Sequence, residues 1–242
     1  ASTEQSGSFT RIPQADELEI DPTAAYAHIT TNNTIFGTQF HYVPNVGSVP
    51  LVADMSSDFL WAPFDVSRFA FIYAGAQKNI GPSGLVVVLV EKNLLAAART
   101  DVPNILSYRV HAENNSLYNT INTFAVYVMR EVLLHMKETG GLAAMEKHNR
   151  QKGDLLYGAI DEDSDFFRCP VERDSRSFMN VVFRLPSEEL EQRFVGEATA
   201  AGLAGLKGHR SVGGIRASIY NAVPLESVNA LVDFMRAFRK RS

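Results

Sequence analysis

The chain has 242 residues, 45% of them hydrophobic and 21% charged, enough to bury one large core or two modest ones. A formal charge of −4 supplies no general attraction for nucleic acid or an anionic membrane, so any anion recognition has to come from local clusters. A single cysteine, Cys169, allows neither an internal disulfide nor a cysteine metal cluster and fits a reducing compartment, which makes a cytoplasmic location the expectation.

Residues 1–7 are polar and lack the apolar core of a signal peptide, so they are expected neither to be cleaved nor to target. Short apolar segments at residues 26–30, 51–53 and 69–74, bounded by Asn, Gly, Pro and Ser, read as buried strands. The longest purely apolar run, residues 85–90, is far too short to span a bilayer and reads as a further buried strand. A helix over residues 123–137 repeats apolar side chains at Phe124, Val128 and Val132, with Met129, Leu133 and Met136 on adjoining rows. Gly140-Gly141 stops it, a second helix over residues 142–160 follows, and the break divides a first domain, residues 1–139, from a second, residues 140–242. Residues 178–185 then read as a strand, and Pro186-Ser187 with Glu188 and Glu189 opens a helix whose first turn carries the charge its dipole favours. Pro224 opens the last helix, with Val228, Leu231, Val232 and Met235 in one stripe. Its terminal Arg236, Arg239, Lys240 and Arg241 read as a solvated helix end and not as a nucleic-acid site. Strand and helix alternate without internal repeat, which implies an α/β fold.

Lys78 follows the apolar strand that ends near Ala76 and precedes Asn79-Ile80-Gly81-Pro82-Ser83-Gly84, a glycine-rich turn. At the end of a buried strand, desolvation would lower the pKa of the amine and make it nucleophilic, and the glycines leave room for something flat. A lysine snorkelling from a strand edge beside an ordinary turn has the same pattern. Asp54 ends another apolar strand in Asp54-Met55-Ser56-Ser57, where it either closes an Asx-turn or partners a cation. Asn119-Thr120, ahead of Thr123, reads as a helix cap. Residues 207–218 gather Lys207, His209, Arg210 and Arg216 with Gly208, Gly213 and Gly214: either an anion cradle, in which arginine forks bind carboxylate or phosphate, or a solvated turn. His41, His111, His135 and His148 lack ligand spacing with acidic partners, so no metal is expected, and Trp61 reads as core packing.

Four segments resemble the phosphoserine aminotransferase family. Tyr73-Ala74-Gly75-Ala76-Gln77-Lys78-Asn79-Ile80-Gly81-Pro82 is similar to its cofactor-lysine segment, and Asp54-Met55-Ser56-Ser57 to its Asp-x-Ser-Ser. Tyr118-Asn119-Thr120 matches its Tyr-Asn-Thr, and residues 208–218 match its Gly-His-Arg-x-x-Gly-Gly-x-Arg-Ala-Ser signature. The likeness runs almost continuously from about Phe9 to Arg239. It implies a type I pyridoxal-phosphate transferase fold: part of a large domain with a mostly parallel sheet, then a small C-terminal α/β domain. It further implies pyridoxal 5'-phosphate held by Lys78, with Asp54 at the pyridine nitrogen, Thr34 at the ring oxygen and Gln77 at the phosphate. Asn119 and Thr120 would reach the cofactor phosphate of the neighbouring subunit in a homodimer. His209 and Arg210 would bind the substrate phosphate or the distal carboxylate of glutamate, and Arg216 the α-carboxylate. The implied reaction moves an amino group between L-glutamate and 3-phosphohydroxypyruvate, giving O-phospho-L-serine and 2-oxoglutarate, in L-serine biosynthesis. Two departures stand out: Asn32-Asn33-Thr34 where many relatives have Asn-Glu-Thr, and Ile121-Asn122 where Pro-Pro is usual. Family members also carry a glycine-rich cofactor loop, a stacking aromatic and substrate-binding basic residues ahead of this point, so weak cofactor binding is expected of these 242 residues alone. The rivals are a related class V aminotransferase or cysteine desulfurase, which would not need the histidine–arginine pair, and a fragment that folds or pairs without catalysis.

Overall fold

The computed structural model describes residues 3–5 and 7–242. Strands β1 (Glu4–Gln5) and β2 (Ser8–Phe9) pair as an antiparallel hairpin. After them, β3 (Ala27–Thr30) leads into a second small hairpin, β4 (Asn32–Asn33) and β5 (Thr38–Gln39), and β6 (Leu51–Asp54), β7 (Phe71–Gly75) and β8 (Val86–Val90) follow. The sheet order is β3-β6-β7-β8, with β3–β6 and β6–β7 parallel and β7–β8 antiparallel. Successive side chains of a strand point to opposite faces, and burial follows that period: Leu51, Ala53, Ile72 and Ala74 are buried on one face, while Val52, Asp54, Phe71 and Tyr73 are half-buried on the other.

The last strand corrects the sequence reading. β8 is not buried: Val86 is 59% and Leu89 37% exposed. It stands at the end of the sheet, paired on one side to β7, and an apolar run alone does not distinguish an edge strand from a central one.

Two short helices, α1 (Lys92–Ala96) and α2 (Tyr108–Glu113), precede the longer α3 (Thr123–Glu138) and α4 (Gly141–Glu162). The cap of α3 is Asn122, whose side chain accepts from the Ala125 amide at 3.1 Å; Asn119-Thr120 lies too far back in the chain to reach it. The buried row of α3 also differs from expectation, for Ala125 and Met136 are buried and Phe124 is 72% exposed. The helix meets the lysine turn so closely that a Cβ on Gly81 would lie 3.2 Å from Met129 Cβ, tighter than an ordinary van der Waals contact. Gly140, at φ 105°, breaks the helix as expected, and α4 starts at the next residue.

The remaining elements are β9 (Asn180–Phe183), α5 (Glu188–Ala200), β10 (Ile215–Ser218) and α6 (Leu225–Arg239). They enclose a second apolar core with Leu156 and Ile160 of α4, Phe183 of β9, Phe194 of α5, and Val228, Leu231, Val232 and Met235 of α6. Ser187 caps α5 by accepting from the Leu190 amide, ahead of an acidic first turn, as its sequence predicts. The basic end of α6 is exposed and ion-paired: Arg236 with Glu162, Arg239 with Asp163, and Arg241 with Glu197. Between the two cores runs a buried polar seam in which Asn32 Nδ2 donates to Ser57 Oγ and to Asn180 Oδ1, both at 2.8 Å. Among the described residues no helix is long and apolar enough to cross a membrane.

Candidate active site

Parallel strands deliver their carboxyl ends to one side of a sheet, and ligands of α/β folds gather there. The register sets Thr30, Asp54 and Tyr73 side by side at that end. Thr34 lies four residues beyond β3, Asp54 terminates β6, and Lys78 lies three residues beyond β7. Lys78 Nζ donates to Thr34 Oγ1 at 2.8 Å, and Arg216 Nη1, from β10, donates to the Thr34 carbonyl at 3.5 Å. Three predicted site residues from distant parts of the sequence therefore meet through Thr34. Burial is the main cause that holds the Lys78 amine below the ordinary lysine range; the Arg216 charge adds to it, while Asp54 and Asp58 oppose it.

Each polar residue of Asp54-Met55-Ser56-Ser57-Asp58 has its task. Asp54 Oδ1 accepts from the Ser56 amide at 2.8 Å, which is the Asx-turn, and the same carboxylate is the leading negative neighbour of Lys78. The two sequence readings of Asp54 are thus compatible. Ser56 Oγ accepts from the Gly75 amide at 3.0 Å and ties this turn to the strand before Lys78. Ser57 Oγ donates to the Asn32 carbonyl at 2.8 Å. Asp58 is buried, accepts from Thr31 Oγ1 at 2.5 Å and Gln39 Nε2 at 3.2 Å, and is pushed up to about 7, chiefly by burial. Sequence reasoning missed Asp58; the available signal was a second carboxylate running straight into Phe59-Leu60.

Other predicted residues lie farther out. Gln77 is exposed and folds back over Gly75, where a Cβ would stand 2.7 Å from Gln77 Oε1. Asn119 and Thr120 are exposed, and Asn119 Nδ2 donates to the Thr120 carbonyl at 3.3 Å. The segment 207–218 is divided between two clefts. Arg216 and His209 border one of about 310 Å³ together with Phe9, Phe36 and Arg184. Arg210, which is exposed, and again His209 border another of about 520 Å³ beside Glu188 and Lys207. His209 Nδ1 pairs with Ser211 Oγ at 2.7 Å. Trp61 is half-buried and stacks on Phe178 at 5.6 Å between ring centroids, with Arg150 over both rings.

The donor set suits a small anionic group that bears a carbonyl: a partly desolvated amine, a carboxylate oriented by its Asx-turn, and a guanidinium whose buried Nε has no partner among the described residues. Comparison with known proteins gives the same direction. The model of the family described as "Aminotransferase class-V" matches residues 2–231. A phosphoserine aminotransferase of Geobacillus kaustophilus is 55% identical over 240 residues, which is 99% of this chain and 66% of that protein. The solved phosphoserine aminotransferase from Bacillus circulans subsp. alkalophilus superposes with a TM-score of 0.95 at 51% identity, covering 97% of this chain and 65% of that one. A structure of radiation damage of the Schiff base in phosphoserine aminotransferase superposes with a TM-score of 0.94 at 48% identity, with 97% and 65% covered. The chain thus spans about two thirds of the length of the relatives it matches. On this match of sequence, fold and site, the chain belongs to the class-V aminotransferase family, among the phosphoserine aminotransferases.

Proposed function

We propose that the chain serves pyridoxal-phosphate-dependent amino transfer between L-glutamate and 3-phosphohydroxypyruvate, yielding O-phospho-L-serine and 2-oxoglutarate. One observation carries the reading: the Lys78 amine, its acceptor Thr34 and the Arg216 fork meet beside Asp54 at the carboxyl ends of parallel strands. The relative at 48% identity is described through its Schiff base, the bond a lysine amine makes with an aldehyde. When bound, pyridoxal phosphate supplies a sink for the electron pair left at the substrate Cα after its proton departs. Lys78 would hold the group, and an amine whose pKa burial lowers gives up its proton more readily and can then take and return the substrate proton. Asp54 would keep a proton on the pyridine nitrogen, Thr34 would orient the ring oxygen, and Gln77 would donate to the phosphate. Arg216 offers its fork to an α-carboxylate, and His209 with Arg210 to a phosphate or a distal carboxylate.

We also place Asn119 and Thr120 against the site of a second copy in a homodimer. Their exposure supports this, as does the company they keep in the chain, where Leu117 is 66% and Tyr127 58% exposed. A boundary between residues 139 and 140, a role in L-serine biosynthesis and a cytoplasmic location complete the proposal. Incubation with pyridoxal phosphate, borohydride reduction and peptide mapping test it. The pyridoxyl group should lie on Lys78, and a label on Lys92 or Lys207 instead would overturn the assignment.

A further inference from the structure

Leu60 is a non-glycine residue in left-handed backbone, at φ 62°, and the turn around it leaves the carbonyls of Phe59, Leu60 and Trp61 to side-chain donors. Each is taken by an asparagine from a different part of the chain. Asn79 Nδ2 donates to the Phe59 carbonyl at 2.8 Å, Asn221 Nδ2 to the Leu60 carbonyl at 3.0 Å, and Asn149 Nδ2 to the Trp61 carbonyl at 3.0 Å. The three asparagines are buried and bound to one another: the Asn221 amide donates to Asn79 Oδ1 at 2.9 Å, and Asn149 Nδ2 to Asn221 Oδ1 at 2.8 Å. Lys152, one turn beyond Asn149 on α4 and fully buried, donates to the carbonyls of Ile219 and Tyr220 at 2.9 and 2.7 Å, just ahead of Asn221.

This cluster adjoins three of the segments that carry site residues. Asn79 adjoins Lys78, residues 59–61 belong to the turn that descends from Asp54, and Asn221 lies three residues beyond β10, the strand of Arg216. We infer that Asn79 and Asn221 are positioning residues, which set the Lys78 amine relative to Asp54 and Arg216 by clasping the lysine turn, the aspartate turn and the arginine strand together. The inference rests on the reading of Lys78 as the reactive amine. Buried networks of neutral amides are geometrically exacting, because each bond lost leaves a polar group without water or partner. A displacement of about 1 Å at a reacting group can cost roughly 100-fold in rate.

The charged groups that face Lys78 are Asp54 of β6, Asp58 of the turn after it, and Arg216 of β10. Replacing a neutral asparagine removes none of these charges, so a change in the titration of Lys78 reports a change in its placement, through its burial or its distance from these charges. The test is trace acetylation with acetic anhydride at a series of pH values, read residue by residue by mass spectrometry, in the full-length protein without added cofactor. The half-maximal pH of Lys78 should lie below the ordinary lysine range. Asn79→Ala should raise it by ~0.5–1 pH unit. Where that variant does not fold, Asn221→Ala serves instead, because it keeps the backbone bond to Asn79 and should give a smaller shift of the same sign. Ile160→Val, which trims the second core away from the cluster, should leave Lys78 unmoved. An unchanged Lys78 midpoint in both asparagine variants would reduce the cluster to a structural clasp and overturn the inference alone. Lys78 titrating in the ordinary lysine range already in the unaltered protein would overturn the functional reading, and the inference with it.

Discussion

Asp58 and Lys78 lie near one carboxylate, Asp54, and are moved in opposite directions by the same cause, because burial disfavours the charged form of each. The Asp58 carboxyl rises from an ordinary 3.8 to about 7, so between those values the folded chain holds a proton that the unfolded chain has lost. Stability is then full below about pH 4 and declines as pH rises through 7. We expect a loss of ~3 kcal/mol between pH 5 and pH 8 from this group, and Asp58→Asn to flatten that dependence, as read from denaturant midpoints at each pH. Equal slopes in both proteins would show that Asp58 is already ionised when folded. Arg210 is tested through substrate choice. Arg210→Ala should weaken use of phosphohydroxypyruvate far more than of pyruvate-like acceptors, by the ~2–5 kcal/mol that truncating one partner of a charge-assisted pair costs, or roughly thirty- to several-thousand-fold. Equal losses on both acceptors would make the arginine structural.

At the scale of elements, the interior of α4 carries Gly153 and Gly158, which look alike in the sequence and differ in place. A Cβ on Gly153 would lie 2.5 Å from Phe178 Cδ1, on a ring already stacked against Trp61, whereas a Cβ on Gly158 would meet nothing within 4 Å. Alanine ordinarily improves a helix by ~1 kcal/mol over glycine. Gly158→Ala should therefore stabilise the protein by ~0.5–1 kcal/mol, and Gly153→Ala should destabilise it by ~1–3 kcal/mol through overpacking. Thermal or denaturant midpoints decide, and two shifts of the same sign would refute the account. Several elements were legible because their signals are local: the Ser187 cap with its acidic first turn, the stripe of α6 and the break at Gly140 each depend on residues within one or two turns. The exposure of β8 was not legible, because which strand ends a sheet depends on what pairs beside it. The cap of α3 was misread from two capping-type residues, since Asn119-Thr120 and Asn122 all precede Thr123 and only the backbone geometry chooses among them.

For the whole molecule, the proposed homodimer makes a prediction that no single chain can satisfy. Full-length Lys78→Ala subunits mixed with Asn119→Ala subunits should regain up to one working site per heterodimer, measured as phosphoserine formed after unfolding and refolding together. No recovery despite proven mixing would place each site within one chain. Within a chain, the two apolar cores are joined by hydrogen-bonded asparagines and serines as well as by packing, with Asn32 reaching Asn180 across 148 positions of sequence and Asn149 reaching Trp61 across 88. Such bonds are directional, so they fix the relation of the halves more sharply than apolar contact, which is proportional to area and indifferent to angle.

The residues alone determined the α/β alternation, the main helices and the resemblance that singled out Lys78, Asp54, Thr34 and Arg216, because propensity, period and motif are written in neighbouring positions. The tertiary structure decided which of them meet. Thr34 binds the Lys78 amine with its hydroxyl and Arg216 with its carbonyl, a junction spanning 44 and 182 positions that no spacing could announce. It likewise decided that Asp58 is buried, that Asn119 and Thr120 face outward, and that Asn79 is bound to Asn221. Desolvation, register and long-range hydrogen bonds are properties of packed surroundings, and those exist only once distant segments have been brought together.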